Sequence, residues 1–284
     1  MCIRDSSVIF IGCGDIAIRC AKILHQQKVE LLGVRRNVNQ LPTWLPSHSA
    51  NVLNPSSLGF LTTSKSDTII YSLSAATFDE KSYTDAYLTG IQNVISSINN
   101  TCLRRLIFVS STSVYHQNDD SWVNETSETR PKRFNGQIML EAEKLVRQTS
   151  IGTCLRFSGI YGPRRLSIID RVRHGPCATD GKKRYTNRIH ADDCGGILAH
   201  LAFQSSLPEV LLGTDSLPAH LIDVENFIAS ELGIHKNLND NTNHMARRGA
   251  GSKRCNNQRL LDTGYTLEYP DYRTGYRKMI KDGL

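Results

Sequence analysis

The sequence predicts an α/β protein: a parallel sheet flanked by helices, followed by a small C-terminal lobe of α+β character. Three observations lead there. Short apolar, β-branched runs alternate with helical patterns through the first 160 residues, which means βαβ units with buried strands. The first of those runs ends in Gly12-Cys13-Gly14-Asp15-Ile16-Ala17, and a helical pattern opens at once. At 284 residues the chain can bury one large core and still carry a lobe.

Taken in order, residues 8–11 read as a strand, 15–27 as a helix and 29–34 as a second strand. A third strand is expected over 68–73, where the residues are Thr, Ile, Ile, Tyr, Ser and Leu. The helix after it, 83–98, carries Tyr87, Ile91, Val94, Ile95 and Ile98 at helical spacing. Strand 106–110, helix 137–148 and strand 153–157 continue the alternation. The order then loosens. Residues 163–186 are rich in Arg, Lys, Gly and Pro and read as an irregular excursion. A helix over 191–202, a strand over 210–213 and an amphipathic stretch over 221–232 follow, with Val224, Phe227, Ile228 and Leu232 on one face. The tail from about 235 is polar and reads as loop-rich. The expected division is a nucleotide-binding domain over 7–165, with 187–214 returning to it, and a substrate lobe formed by 166–186 and 215–284. Residues 1–6 fit nothing downstream and are expected to be unstructured or a sequencing artefact.

Composition narrows the function. No run approaches 18 consecutive apolar residues, so no transmembrane helix is expected. The eight cysteines form no Cys-x-x-Cys pair, which argues against zinc and favours a reducing, cytoplasmic setting with the thiols as small core residues. The formal charge of +7 points to anionic partners in general. Its richest cluster, Arg247, Arg248, Lys253 and Arg254, has no interleaved aromatic residue and no recognisable nucleic-acid module. A phosphorylated or nucleotide-linked small molecule satisfies the charge equally well, and nucleic acid and membrane are not expected partners.

Gly12-x-Gly14-x-x-Ala17, between a strand and a helix, is the context that the dinucleotide fingerprint requires. The first glycine permits a tight turn, the second lets backbone approach a pyrophosphate, and a small third residue lets the helix pack on the strand. The helix then offers N–H groups and a positive dipole end through Asp15, Ile16 and Ala17. The sheet is therefore expected to be Rossmann-type. An NAD site calls for an acid near the end of the second strand, and Val34-Arg35-Arg36 stand there instead. Two guanidiniums suit a 2′-phosphate, so NADP is the expected cofactor and NAD the less favoured one, the alternative being that Arg35 and Arg36 are exposed surface charges. Ser74 and Ser110, after the third strand and at the end of the fourth, complete the expected cofactor set.

Three further segments carry a family resemblance. Ser110-Ser111-Thr112-Ser113-Val114-Tyr115, then Leu155-Arg156-Phe157-Ser158-Gly159-Ile160-Tyr161-Gly162-Pro163, then Ile189-His190-Ala191-Asp192-Asp193 stand in the order found in extended short-chain dehydrogenase/reductases. With the glycine loop, the chain resembles that family of NAD(P)-dependent epimerases and dehydratases over nearly its whole length. Residues 251–276 look like the tail of an atypical branch of that family. The resemblance implies a Ser–Tyr–Lys catalytic set. In it the serine holds the substrate oxygen, the tyrosine transfers its proton, and a lysine four residues later lowers the phenol pKa. An isolated phenol titrates near 10 and needs that help at neutral pH, and one helical turn puts both side chains on one face.

Ser111 takes the serine position. Alignment of the following helix puts Asn135 where the tyrosine belongs and Met139 where the lysine belongs. None of the ten tyrosines is followed four residues later by a lysine. Three readings follow. The chain binds NADP as a sensor, scaffold or regulator without turnover; or it reduces or epimerises a nucleotide sugar or small carbonyl with a substitute proton donor; or it is an interaction protein whose loop holds nothing. Tyr115, Tyr161 and His190 are the candidate donors. Each also has an ordinary role open to it: packing for Tyr115, anchoring a turn for Tyr161, and a helix-cap arrangement for His190 with Asp192 or Asp193. Arg156 and Arg188 either meet a phosphate-bearing substrate or pair with nearby acids. The substrate is expected between domain and lobe, and a homodimer is open to the chain because helices on the sheet flank commonly pair in this family.

Overall fold

A seven-stranded sheet organises the computed structural model, which describes residues 6–98, 102–174, 183–234 and 251–284. Strand β1 (Ser7–Ile11) runs into α1 (Asp15–Gln26), and β2 (Glu30–Arg35) and β3 (Ser47–Ser49) follow. A short α2 (Phe60–Thr63) precedes β4 (Thr68–Tyr71). Helix α3 (Glu80–Tyr83) continues through a turn of π-helix, Thr84–Thr89, into α4 (Gly90–Ser97). Strand β5 (Arg105–Ser111) ends in a 3-10 turn, Thr112–Val114. Next come β6 (Trp122–Val123), α5 (Phe134–Arg147), β7 (Gly152–Phe157) and β8 (Gly159–Tyr161). After α6 (Ser167–His174), β9 (Tyr185–Thr186) and β10 (Arg188–His190) stand α7 (Ala191–Leu201) and β11 (Val210–Gly213). Strand β12 (Ala219–His220), α8 (Leu221–Glu231), β13 (Arg254–Cys255), α9 (Gln258–Leu261) and α10 (Tyr272–Lys281) complete the described elements.

The strand order is β11-β7-β5-β4-β1-β2-β3, and the pairs β1–β2, β1–β4, β2–β3, β4–β5 and β5–β7 are parallel. This is the expected Rossmann-type sheet. Its strands are buried on both faces, as parallel strands under helices must be: Ile9, Phe10, Ile11, Ile70, Tyr71, Ile107 and Phe108 are at most 2% exposed. The chain reverses its direction of travel across the sheet between β1 and β4, the place where ligands bind at the carboxyl ends of the strands.

Two compact units emerge, both discontinuous. One comprises the chain up to Tyr115 with Glu128–Phe157 and Cys194–Leu211; the other comprises His116–Ser127, Ser158–Asp193 and the chain from Leu212 onward. Residues 116–127, 158–165 and 187–193, which the sequence pattern groups with the sheet, thus belong to the second unit. Its core is Tyr161, Ile168, Ile169, Val172, Val224, Ile228, Tyr272, Tyr276 and Met279.

Two expected irregular stretches are helical. Helix α6 lies inside residues 163–186 and buries Ile168, Ile169 and Val172. Helix α10 lies in the tail that reads as loops. Asp271 caps it by accepting from the Thr274 N–H at 2.8 Å, and Tyr272, Tyr276 and Met279 form its buried stripe. Its arginines and lysines lie on the outer face and mask that stripe in a plain composition reading. Arg247, Arg248, residues 175–182 and residues 1–5 lie outside the described residues.

Candidate active site

The glycine loop stands at the end of β1, in the first unit. Gly12 has φ +77°, and a Cβ there would stand 2.5 Å from Leu73 Cα, so a side chain is excluded by both conformation and space. The N–H groups of Gly12 and Cys13 both donate to the Val34 carbonyl at 3.0 Å, and the Ser72 hydroxyl donates to the Gly12 carbonyl at 3.2 Å. The loop is therefore tied to the strands on both sides of β1. Gly14 is the N-cap of α1 and faces open space, the nearest atom to a built Cβ being the Gly12 carbonyl at 3.8 Å. Ala17 is fully buried and Ile16 nearly so, which lets α1 lie close on the sheet. Asp15, in the first turn, accepts from Arg19 Nε at 3.1 Å.

A cleft of about 620 Å³ opens over this loop. Gly12, Gly14, Arg35, Arg36, Ser74 and Asp85 are among its walls. Arg35, the last residue of β2, donates to the Cys13 carbonyl at 3.4 Å and to Gln40 Oε1 at 2.5 Å. Arg36 is exposed, its carbonyl accepts from the Ser49 hydroxyl, and its guanidinium makes no hydrogen bond among the described residues. The acid of the cleft, Asp85, is engaged with Lys81 at 2.5 Å. Cys13, beside the loop, is a buried thiol pushed up to about 12 by burial, with Arg35 opposing. It is a packing residue at this site.

One wall of the cleft depends on the π turn. Tyr71 Oη donates to the Ala86 carbonyl at 2.5 Å, and a Cβ on Gly90 would stand 2.3 Å from that phenol oxygen. Asp85 and Ala86, both in the π turn, line the cleft, and the Ala86 carbonyl is the one that Tyr71 meets. Burial raises the phenol of Tyr87, in the same turn, and outweighs the hydrogen bonds that it accepts from the Ala75 N–H and from Ser74. Nothing in the apolar spacing of residues 83–98 distinguishes this turn from α-helix.

Ser110 stands away from that cleft. It is buried, and its hydroxyl donates to Glu143 Oε1 at 2.5 Å. Glu143 also receives Arg156, Nε on Oε1 at 2.9 Å and Nη2 on Oε2 at 2.6 Å. Arg156 Nη1 then donates to Tyr115 Oη at 2.7 Å. Of the two roles open to Arg156, the described contacts are those of an ion pair with a nearby acid. Glu143, fully enclosed, is the functional-looking residue that the sequence reading missed; a glutamate on the apolar side of a helical pattern, three positions before Val146, was the available signal.

Ser111 caps the 3-10 turn, accepting from the Ser113 N–H at 3.1 Å. A Cβ on Gly136 would stand 2.5 Å from the Ser113 carbonyl, so α5 begins hard against this turn. Asn135 lies in that first turn with Oδ1 buried and without a hydrogen-bond partner among the described residues, and Met139 is buried one turn on.

The remaining candidates are in the second unit. Tyr161 is 1% exposed and stacks on Tyr276 with centroids 4.3 Å apart. Its phenol is held far above the usual range, chiefly by burial and then by Asp215. It is a core side chain there. His190 Nδ1 accepts from the Asp192 N–H at 3.2 Å, while Asp193 accepts from the N–H groups of Glu268 and Tyr269 at 2.8 and 3.0 Å. The expected cap arrangement thus takes another form: Asp193 ties down the approach to α10 instead of its own helix. Arg188 is buried beside Gly159.

Fold and loop together define a dinucleotide-binding α/β protein with an extended lobe. The chain belongs to the NAD dependent epimerase/dehydratase family, whose model matches residues 14–178. A solved structure from Methylobacillus flagellatus, assigned to the NAD-dependent epimerases/dehydratases, is 32% identical, with 98% of each chain covered and a TM-score of 0.83. A UDP-glucose 4-epimerase from Thermus thermophilus, solved in complex with NAD, is 16% identical over 97% of this chain and 98% of its own, with a TM-score of 0.79, a likeness of fold. Protein YeeZ of Escherichia coli (strain K12) is 32% identical over 118 residues, which span 40% of this chain and 41% of YeeZ. Among the described residues no helix is long and apolar enough to cross a membrane.

Proposed function

We propose that the chain binds NADP in preference to NAD through the glycine loop and Arg35–Arg36, and works as an oxidoreductase or epimerase on a small carbonyl compound or nucleotide sugar. The observation that carries this reading is the composition of the cleft wall at the end of β2. Two guanidiniums stand there, one without a partner among the described residues, and the cleft's acid is neutralised by Lys81. The fit to a dinucleotide rests on Gly14, whose missing side chain leaves room for a phosphate against backbone, and on the first turn of α1, whose N–H groups point along the helix axis. When bound, the nicotinamide supplies hydride transfer; the chain supplies orientation and charge.

Tyr115 is the side chain we assign to the proton. The Arg156 guanidinium donates to its oxygen and lies 4.9 Å from its ring centroid, so negative charge arising on that oxygen meets a fixed cation. Ser111, at the other end of the same 3-10 turn, polarises the substrate oxygen. The second reading, a binder without turnover, is favoured by Asn135 and Met139, neither of which can relay a proton.

Nicotinamide fluorescence on titration with NADPH and NADH tests the cofactor. The expected result is at least about tenfold tighter NADPH binding, equivalent to about 1.4 kcal/mol, and loss of that preference in R35A/R36A. Equal affinities in the unaltered chain overturn it. Turnover of a carbonyl panel that survives Tyr115→Phe removes Tyr115 from its role.

A further inference from the structure

The second unit holds a lysine whose charge no group among the described residues answers. Lys253 is 9% exposed, and among the described residues its ammonium has neither a hydrogen-bond acceptor nor a carboxylate. Burial lowers its pKa, with only the Cys255 thiol acting the other way. The backbone around it is fastened on every side. Asn187 donates through Nδ2 to the Lys253 carbonyl at 3.0 Å and accepts the Cys255 N–H at 2.7 Å. One residue earlier, the Ser252 N–H donates to Asn118 Oδ1 at 2.8 Å, and the Ser252 hydroxyl accepts the Tyr185 N–H at 2.8 Å. Strand β13 then pairs with β6 in register Arg254 to Trp122.

Two acids around this strand are committed elsewhere. Asp120 takes the Ser252 hydroxyl, and Glu125 takes the Leu212 N–H at 3.0 Å and faces Arg259 at 3.8 Å. Arg254, next in sequence, sits over the rings of Trp122 and Tyr185 at 5.0 and 5.2 Å. A flexible lysine normally carries its ammonium into water. Here an anchored strand keeps the side chain largely buried with no counter-charge among the described residues, an arrangement characteristic of functional positions.

We propose that Lys253 is a ligand-binding lysine, whose ammonium takes an oxyanion, a phosphate or carboxylate group, of the small-molecule substrate. The inference rests on the proposed function in taking the ligand to be the substrate; the site itself lies wholly in the second unit. Among the described residues no group uses the ammonium, which leaves it capacity for an anion, and the anion offsets the hydration that burial removed.

The test uses the full chain saturated with NADPH, so that the glycine loop is filled, and measures melting temperature with inorganic phosphate or acetate at about 10 mM. Wild type is expected to gain about 3 °C with at least one of the two, and the active anion tells a phosphate from a carboxylate subsite. Lys253→Met and Lys253→Gln lose that gain, and Lys253→Met without anion melts higher than wild type because a buried uncompensated charge is gone. A merely structural lysine gives the reverse: a lower melting temperature in both variants and an unchanged anion response. No anion response in wild type, or one that survives in both variants, overturns the inference. NADPH fluorescence separates the two proposals. Anion binding that depends on Lys253, in a protein that fails to bind NADPH, leaves this inference standing and removes the cofactor reading.

Discussion

Glu143→Gln isolates the charge of the buried network while keeping its shape. Glu143 is fully enclosed, and the side chain of its partner Arg156 is 3% exposed. Oε1 accepts both Ser110 and Arg156 Nε, so a glutamine keeps its oxygen there and turns its NH2 toward Arg156 Nη2, where the present separation is 2.6 Å. Two donors then face each other around an unneutralised guanidinium. Breaking a buried pair in this way costs about 3–5 kcal/mol, or about 6–20 °C in melting temperature for a chain of this size. Removing both charges in E143M/R156M leaves no orphaned ion; the remaining cost is the lost partners of Ser110 and Tyr115, about 1–3 kcal/mol each. The assay is urea unfolding followed by tryptophan fluorescence in a Trp122→Phe background, which leaves Trp44 as the reporter of the first unit. A cost below about 1 kcal/mol for E143Q, together with additive single changes, refutes the reasoning.

Three more outcomes follow from geometry already described. Gly12→Ala drives a Cβ into Leu73 and lowers thermal stability, whereas Gly14→Ala meets only the Gly12 carbonyl at 3.8 Å, so it folds normally and loses about tenfold or more in NADPH affinity by titration. Gly275→Ala places a Cβ 2.0 Å from Tyr161 Oη and destabilises the second unit by about 1–3 kcal/mol in urea unfolding, with part of that loss recovered by Tyr161→Phe; Tyr161→Phe alone leaves any turnover unchanged, since that hydroxyl has no partner among the described residues. Asp215 is held well above the carboxylate range by burial, so the folded protein binds a proton more tightly there than the unfolded chain does. Its contribution to stability therefore falls as pH rises above about 4 toward the raised folded value. Asp215→Asn should flatten that part of the melting-temperature profile and raise stability at pH 7, and a parallel profile counts against it.

The strands of the sheet were legible because buried parallel strands write themselves as continuous apolar runs; each of those expected at 8–11, 29–34, 106–110 and 153–157 lies within a residue of its observed bounds. The glycine loop was legible because Gly12 and Gly14 answer to local backbone needs. What was hidden depends on partners far along the chain. Glu143 is thirteen residues from Arg156 and reads as a surface charge until α5 docks on β7. Trp122 gives no sign of Arg254, yet the two share a register between strands of two residues each. The aromatic residues absent from the basic cluster in sequence, Trp122 and Tyr185, are brought to Arg254 by folding. Helix α10 hid for a different reason: its buried stripe is made largely of tyrosines, which a polarity reading credits to the surface.

The polypeptide crosses between the two units at five places, after Tyr115, Ser127, Phe157, Asp193 and Leu211. No single cut therefore yields either half, and a truncated gene would deliver a sheet without its β11 edge. During synthesis the nucleotide-binding half stays unfinished until about three quarters of the chain has left the ribosome. The strap at 251–255, which must find residues 117–123, arrives later still. Such long closures slow folding, so a newly made molecule spends its early life with an open sheet edge exposed to its neighbours.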